Sequence, residues 1–241
     1  MMSKILKDKP VMSNQHGALV MAFVPFLYGI FASHITLSHL WLGLSWLFIY
    51  FFSYPFMALF NRKNTQKYKK WAIIYAIISV ILAIPLLYSN FAILQFAIPI
   101  LPLVLIEIYY AKKKDERNLI NDIAGILTFG IVGMASFYLS TGQYNVEVLI
   151  HPTLFFIAGT FYVKSIARER KNPLYLKLSI GSHILFGIGY LLLGYIPIAI
   201  TYVFALLRAI IVPQLDWNIK KVGLSEFAIV LIFVIGLYFS V

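Results

Sequence analysis

Apolar residues in this chain come in long runs, separated by short polar or basic segments. A membrane-spanning helix needs about 20 mostly apolar residues, within a range of about 17–25. On that criterion nine runs are predicted to be helices: 17–33, 40–60, 71–88, 91–111, 119–140, 148–165, 178–193, 196–212 and 224–240. Residues 1–16 precede the first run as a polar, basic segment. Ser89-Asn90 and Gly194-Tyr195 are two-residue connections, so the runs they join are antiparallel neighbours. No linker, low-complexity tract or clear internal repeat is visible, and the pattern is that of one transmembrane domain over 1–241. The runs 178–193 and 196–212 are short and contain Gly and Pro. A seven-span protein with a re-entrant hairpin at that place is the alternative.

Composition strengthens this reading. The chain is 61% hydrophobic and 12% charged, against about 45–50% and about 25% for soluble domains. A single soluble core cannot hide that excess, because much of its surface must still face water. The expected fold is an all-α polytopic membrane protein, with lipids as its first partners and no room for a separate soluble domain.

Charge then sets the orientation. The twenty Lys and Arg residues fall on the amino-terminal segment and on the second–third, fourth–fifth, sixth–seventh and eighth–ninth connections. The connections at 33–39, 89–90, 140–147 and 194–195 contain none. By the positive-inside rule the amino terminus is cytoplasmic and the carboxyl terminus outside. The net charge of +11 thus follows from topology, without a nucleic-acid partner. A basic start before an apolar run also has the form of a signal peptide. Bulky residues around Ala32 make a poor cleavage context, so the first run is expected to be retained. The chain has no cysteine, which excludes disulfides and thiolate metal sites.

Ionisable residues within spans usually face a protein or water-filled interior. On the basic side, helix ends carry Gln15, His16, Asn61, Arg62, Glu107, Asn121, Asp122, Lys164, Arg168, Glu169, His183 and Arg208; the other side has only His34, His39, Glu147 and His151. A site is therefore expected to open on the cytoplasm. Glu107 is expected to pair with nearby lysines and Arg208 to snorkel to the headgroups. His183 is either a neutral side chain bonded to a neighbouring helix or part of the chemistry. Asp122 in a first turn is stabilised by the helix dipole; alternatively, Asp122 and Glu116 help hold a hydrated Mg2+. Lys164 and Arg168 are four apart on one helix face and are suited to a phosphate or an anionic headgroup. Asn14 is placed to cap the first helix, and Gly17 to let another backbone come close. His16 beside them is a further candidate for chemistry. No Walker-type loop, HExxH or GxSxG is present, and no histidines stand four apart as a metal pair.

Four blocks, "QHGALVMAFVPFLYG", "FSYP" with "NRKN", "KKKDERNLINDIAGI" and "FFIAGTFYVKSIARERKN", resemble the YwiC-like family of bacterial membrane proteins, which brings no activity with it. The nine runs are also similar, more distantly, to the UbiA superfamily of intramembrane prenyltransferases. That resemblance implies a helical bundle with a cytoplasm-facing cavity and two aspartate-rich magnesium–diphosphate loops. The matching segments here read "NRKNTQKYKK" and "KSIARERKN": Asn61 stands at a possible leading asparagine, and the aspartates are missing. The resulting expectation is a UbiA-like scaffold whose cavity takes an amphipathic anionic ligand, an isoprenoid or acidic lipid. Gln15, Asn61, Arg62, Lys63, Asn121, Lys164 and Arg168 would hold it, with Asp122, Glu116, His16 and His183 as candidates for chemistry. A transporter, or an accessory factor of a membrane complex, is the alternative.

Overall fold

A computed structural model describes residues 9–13, 16–61, 66–215 and 217–241, without the side chains of His16 and Ile219. The described part is a bundle of nine helical rods: α1 His16–Phe31, α2 Leu37–Phe60, α3 Gln66–Ser89, α4 Ala97–Lys113, α5 Leu119–Thr141, α6 Glu147–Val163, α7 Pro173–Leu192, α8 Ile196–Ile211 and α9 Ile219–Tyr238. A 3-10 turn, Phe91–Phe96, leads into α4, and another, Val212–Gln214, follows α8. Eight rods are long and apolar enough to cross a membrane, while α1, at 16 residues, is shorter. Both α7 and α8 are of spanning length when the turn after α8 is included, which favours nine rods over a re-entrant hairpin.

Several rods begin before the apolar runs do. Helix α7 starts at Pro173 and α9 at Ile219, each five residues ahead of the predicted run. Hydropathy marks only the part in hydrocarbon, whereas backbone bonding continues until a cap ends it. Asn172 and Asn218 supply those caps, accepting from the Leu174 and Lys221 amides at 3.1 and 2.9 Å. Asn118 does the same for α5 through the Ile120 amide at 3.1 Å.

Helices α1 and α5 form the centre: α1 packs on α5, α6, α9 and α2, and α5 on α1, α2, α4 and α6. The α2–α3 hairpin and α4 lie on one flank, and α7, α8 and α9 on the other. In lipid, association relies on close packing and hydrogen bonds between helices. The α1–α5 crossing has both. Gly29 and Gly133 face each other there, so closely that a Cβ on Gly29 would lie 2.5 Å from the Gly133 carbonyl oxygen. Next to it, Ser136 Oγ donates to the Phe26 carbonyl at 2.8 Å, and the Ser136 carbonyl accepts from His39 Nε2 of α2 at 2.8 Å. The expected close approach at Gly17 is corrected: among the described residues nothing lies within 4 Å of a Cβ added there. Small residues meet instead at Gly29, near the last turn of α1, and Gly133 of α5, where the backbones cross.

Helices α2 and α3 are joined by Ser45 and Ser79, whose hydroxyls and carbonyls interlock at 3.0–3.1 Å. Helices α6 and α9 are joined by the stacked rings of Phe155 and Phe233, 3.8 Å apart. The end of the bundle where α5 starts and α6 finishes, at Leu119 and Val163 and next to the Lys- and Arg-rich connections 112–117 and 164–171, is called the basic end below.

Candidate functional site

Three polar clusters interrupt the apolar interior. The first, at the basic end, joins α5 to α6. Helix α6 runs on through a π-helical turn, Lys164–Arg168, closed by the Glu169 amide on the Lys164 carbonyl at 2.7 Å. Such turns are frequent at functional sites. The wider turn keeps Lys164 and Arg168 on one face, where both reach Asp122 in the first turn of α5. Lys164 Nζ lies 3.0 Å and Arg168 NH1 3.6 Å from Asp122 Oδ2. Lys164, almost fully buried, also donates to the Arg117 carbonyl at 2.5 Å. Two cations thus share one carboxylate. Around this core, Asn121 donates to the Glu116 carbonyl at 2.8 Å, and Asn61 at the end of α2 donates to Glu116 Oε1 at 2.7 Å. Of the candidate residues, the fold brings together Asp122, Lys164 and Arg168, with Asn121, Glu116 and Asn61 beside them. Gln15, Arg62 and Lys63 lie outside the described residues, as do Asn14 and the His16 side chain.

Both carboxylates already have protein partners. Asp122 faces Lys164 and Arg168, Glu116 holds the Asn61 amide, and no third acid or histidine converges on them among the described residues. Glu107 is corrected as well: among the described residues no basic side chain lies within ion-pair distance of it. Its carboxyl group packs on α5, 3.3 Å from where a Cβ on Gly125 would stand.

The second cluster joins α6, α7, α8 and α9. Arg208 NH1 bonds Glu226 Oε1 at 2.5 Å, its NH2 lies 3.5 Å from His183 Nε2, and its guanidinium covers the Tyr162 ring at 3.9 Å. The expectation that Arg208 snorkels is overturned. It is 7% exposed, because Glu226 and the Tyr162 face hold it inside the bundle. His183 Nδ1 lies 2.6 Å from the Ser179 carbonyl. A carbonyl only accepts, so Nδ1 carries the proton and Nε2 turns its lone pair to Arg208: a neutral imidazole, bonded first to its own helix. Glu226 and Tyr162 were missed from the sequence. The available signal was that Glu226 is a lone acid within an apolar run, and such a group needs a partner.

The third cluster lies at the opposite end. His151 Nδ1 is 3.0 Å from Tyr28 Oη, and its ring contacts those of Tyr190 and Tyr195 at 5.1 and 5.0 Å. Tyr195, in the α7–α8 connection, donates to Glu147 Oε1 at 2.6 Å, and that carboxylate raises the Tyr195 phenol above its usual range. His39 is buried, accepting from the Thr36 amide at 3.0 Å and donating to Ser136.

Nine apolar rods, a single basic end and buried ion pairs between rods define a polytopic, all-helical membrane protein. A model described as "YwiC-like protein" matches residues 12–137. A Haemophilus influenzae protein is 45% identical over 230 residues, covering 94% of this chain and 97% of its own. YwiC of Bacillus subtilis is 34% identical over 228 residues, covering 90% and 92%. The chain belongs to the YwiC-like family, and it is a multi-pass protein of the bacterial membrane. No solved structure matches it.

Proposed function

We propose that the protein sits with its basic end in the cytoplasm and binds an amphipathic anionic lipid there, through Lys164 and Arg168. The observation supporting this reading is the charge at the α5–α6 junction, where two cations share the single carboxylate of Asp122. The excess positive charge suits a phosphate or diphosphate head. Arg168 is about a quarter exposed and takes the head first; Lys164, held by the Arg117 carbonyl, fixes the inner limit of the seat. Asn61, Asn121 and Glu116 tie α2 to the same loop, while Gln15, Arg62 and Lys63 belong to the same end by sequence. No metal is used.

The test is lipid binding by the purified protein in detergent, read by native mass spectrometry with phosphatidylglycerol and farnesyl diphosphate. Lys164→Ala with Arg168→Ala is expected to weaken binding about tenfold or more, since two charge-assisted contacts are lost. Absence of binding of either compound to the unsubstituted protein ends this reading.

A further inference from the structure

A polar cavity of about 220 Å3 lies between the turn that closes α6 and the connection from α8 to α9. Its walls include Ser165, Arg170 and Trp217. Helix periodicity gives its place in the bundle. Val212 stands four residues after Arg208, Val222 four before Glu226, and Ser165 three after Tyr162, and all three line the cavity. Residues three or four apart share a helix face, so the cavity lies one turn nearer the basic end than the buried Arg208–Glu226 pair.

Two features select its occupant. The first is a shut floor. Val212 and Val222 are buried and pack with Tyr162 and Ala209, and Ile166 lies against them. That layer leaves no path inward for a lipid chain, so the occupant is a compact molecule that arrives from water. The second feature is charge. Among the described residues no carboxylate lies within ion-pair distance of Arg170, and none of the lining side chains is acidic. Arg208 and Glu226, one turn deeper, bond each other and cancel. The Arg170 guanidinium therefore stands at the wall with its donors unclaimed by the described residues, and such a fork matches two oxygens of one oxyanion. Trp217 beside it has a donor and no acceptor to oppose an anion. Asp216, in the same connection as Trp217, lies outside the described residues.

We propose that this cavity binds a small, water-soluble oxyanion, a phosphate ester or a carboxylate, on the Arg170 guanidinium. The site is separate from the acidic-lipid seat. Arg168 turns to Asp122 of α5, whereas Arg170, two residues on, lines the side that faces α8 and α9. The two ligands differ as well, since this one carries no lipid chain.

The experiment is calorimetric titration of the purified full-length protein, in an uncharged detergent, with glycerol 3-phosphate, with succinate, and with glycerol as the uncharged control. Phosphatidylglycerol, which carries a glycerophosphate on two acyl chains, is added as competitor to separate a lipid source from a soluble one. Arg170→Gln breaks no contact with another described residue, so its thermal unfolding without ligand is expected to be unchanged. Its affinity for the oxyanion is expected to fall about tenfold or more, because charge-assisted bonds are lost. Lys171→Gln removes the same charge from the next residue, which does not line the cavity. It is expected to bind within about twofold, which distinguishes a seat from a general positive field. Lys164→Ala with Arg168→Ala is expected to do the same, which keeps the result independent of the acidic-lipid seat. Asp216→Asn is expected to bind at least as tightly, since a nearby acid repels an anion. Preference for glycerol 3-phosphate or for succinate identifies the kind of oxyanion. The proposal is overturned if neither binds the unsubstituted protein, or if glycerol binds as tightly. It is equally overturned if Arg170→Gln leaves the affinity unchanged, if Lys171→Gln weakens it as much, if Asp216→Asn weakens it, or if phosphatidylglycerol displaces the soluble ligand.

Discussion

Gly133→Leu is expected to yield almost no folded protein, and Gly133→Ala to be plainly destabilised. At the α1–α5 crossing a Cβ on Gly133 would lie 2.7 Å from the Pro25 carbonyl oxygen and 2.9 Å from the Pro25 carbonyl carbon. Both are backbone atoms of a helix that also packs on α2, α6 and α9, so neither side can give way by a rotamer change. Overpacking a fitted interior costs about 1–3 kcal/mol, occasionally more; separating two central helices belongs at the upper end. Losing contact there also loosens the Ser136 bond to Phe26 and the His39 bond to Ser136. Gly181→Ala is the control, because nothing lies within 4 Å of its added Cβ. The measurement is the monodisperse fraction and thermal unfolding midpoint in detergent. Unfolding of Gly133→Ala at the midpoint of Gly181→Ala would show that the crossing is not tight.

The rods themselves were legible because each needs to satisfy hydrocarbon along one membrane thickness, a constraint that composition alone reveals. The alternation of basic and uncharged connections was legible too. Rod starts were less so: Pro173 and Ile219 begin helices in text that reads as a polar loop, because caps rather than hydropathy set those limits. Within the candidate site, Lys164 and Arg168 were readable as a pair from their spacing. That Asp122 faces them was not, because it depends on how α5 lies against α6. The second cluster was hidden for the same reason. Arg208, Glu226, Tyr162 and His183 come from four helices, and one-dimensional spacing says nothing of which faces meet. Arg208 near a helix end reads as a snorkelling side chain until its partner on α9 is seen.

That pair carries the other large effect. Glu226→Ala is expected to destabilise the protein by about 3–5 kcal/mol, the cost of leaving a buried charge without its partner. Arg208 is the reason. A guanidinium cannot shed its proton, and its side chain is 6% exposed beneath Tyr162 and His183. Neither an aromatic face nor a neutral imidazole replaces the lost carboxylate. Arg208→Met is expected to cost less, because the stranded Glu226 can take up a proton and become neutral. It is also the more accessible of the two, at 24% of its side chain. Combining Arg208→Met with Glu226→Ala removes both charges and is expected to recover much of the loss, as replacement of buried ion pairs by apolar groups often does. Thermal unfolding of the two single variants and the double variant closes the cycle. The decisive result is the ordering: Glu226→Ala least stable, the double variant above it. Simple addition of the two single losses would mean that the charges do not depend on each other inside the bundle. The second cluster would then be four separate polar side chains, each satisfied on its own.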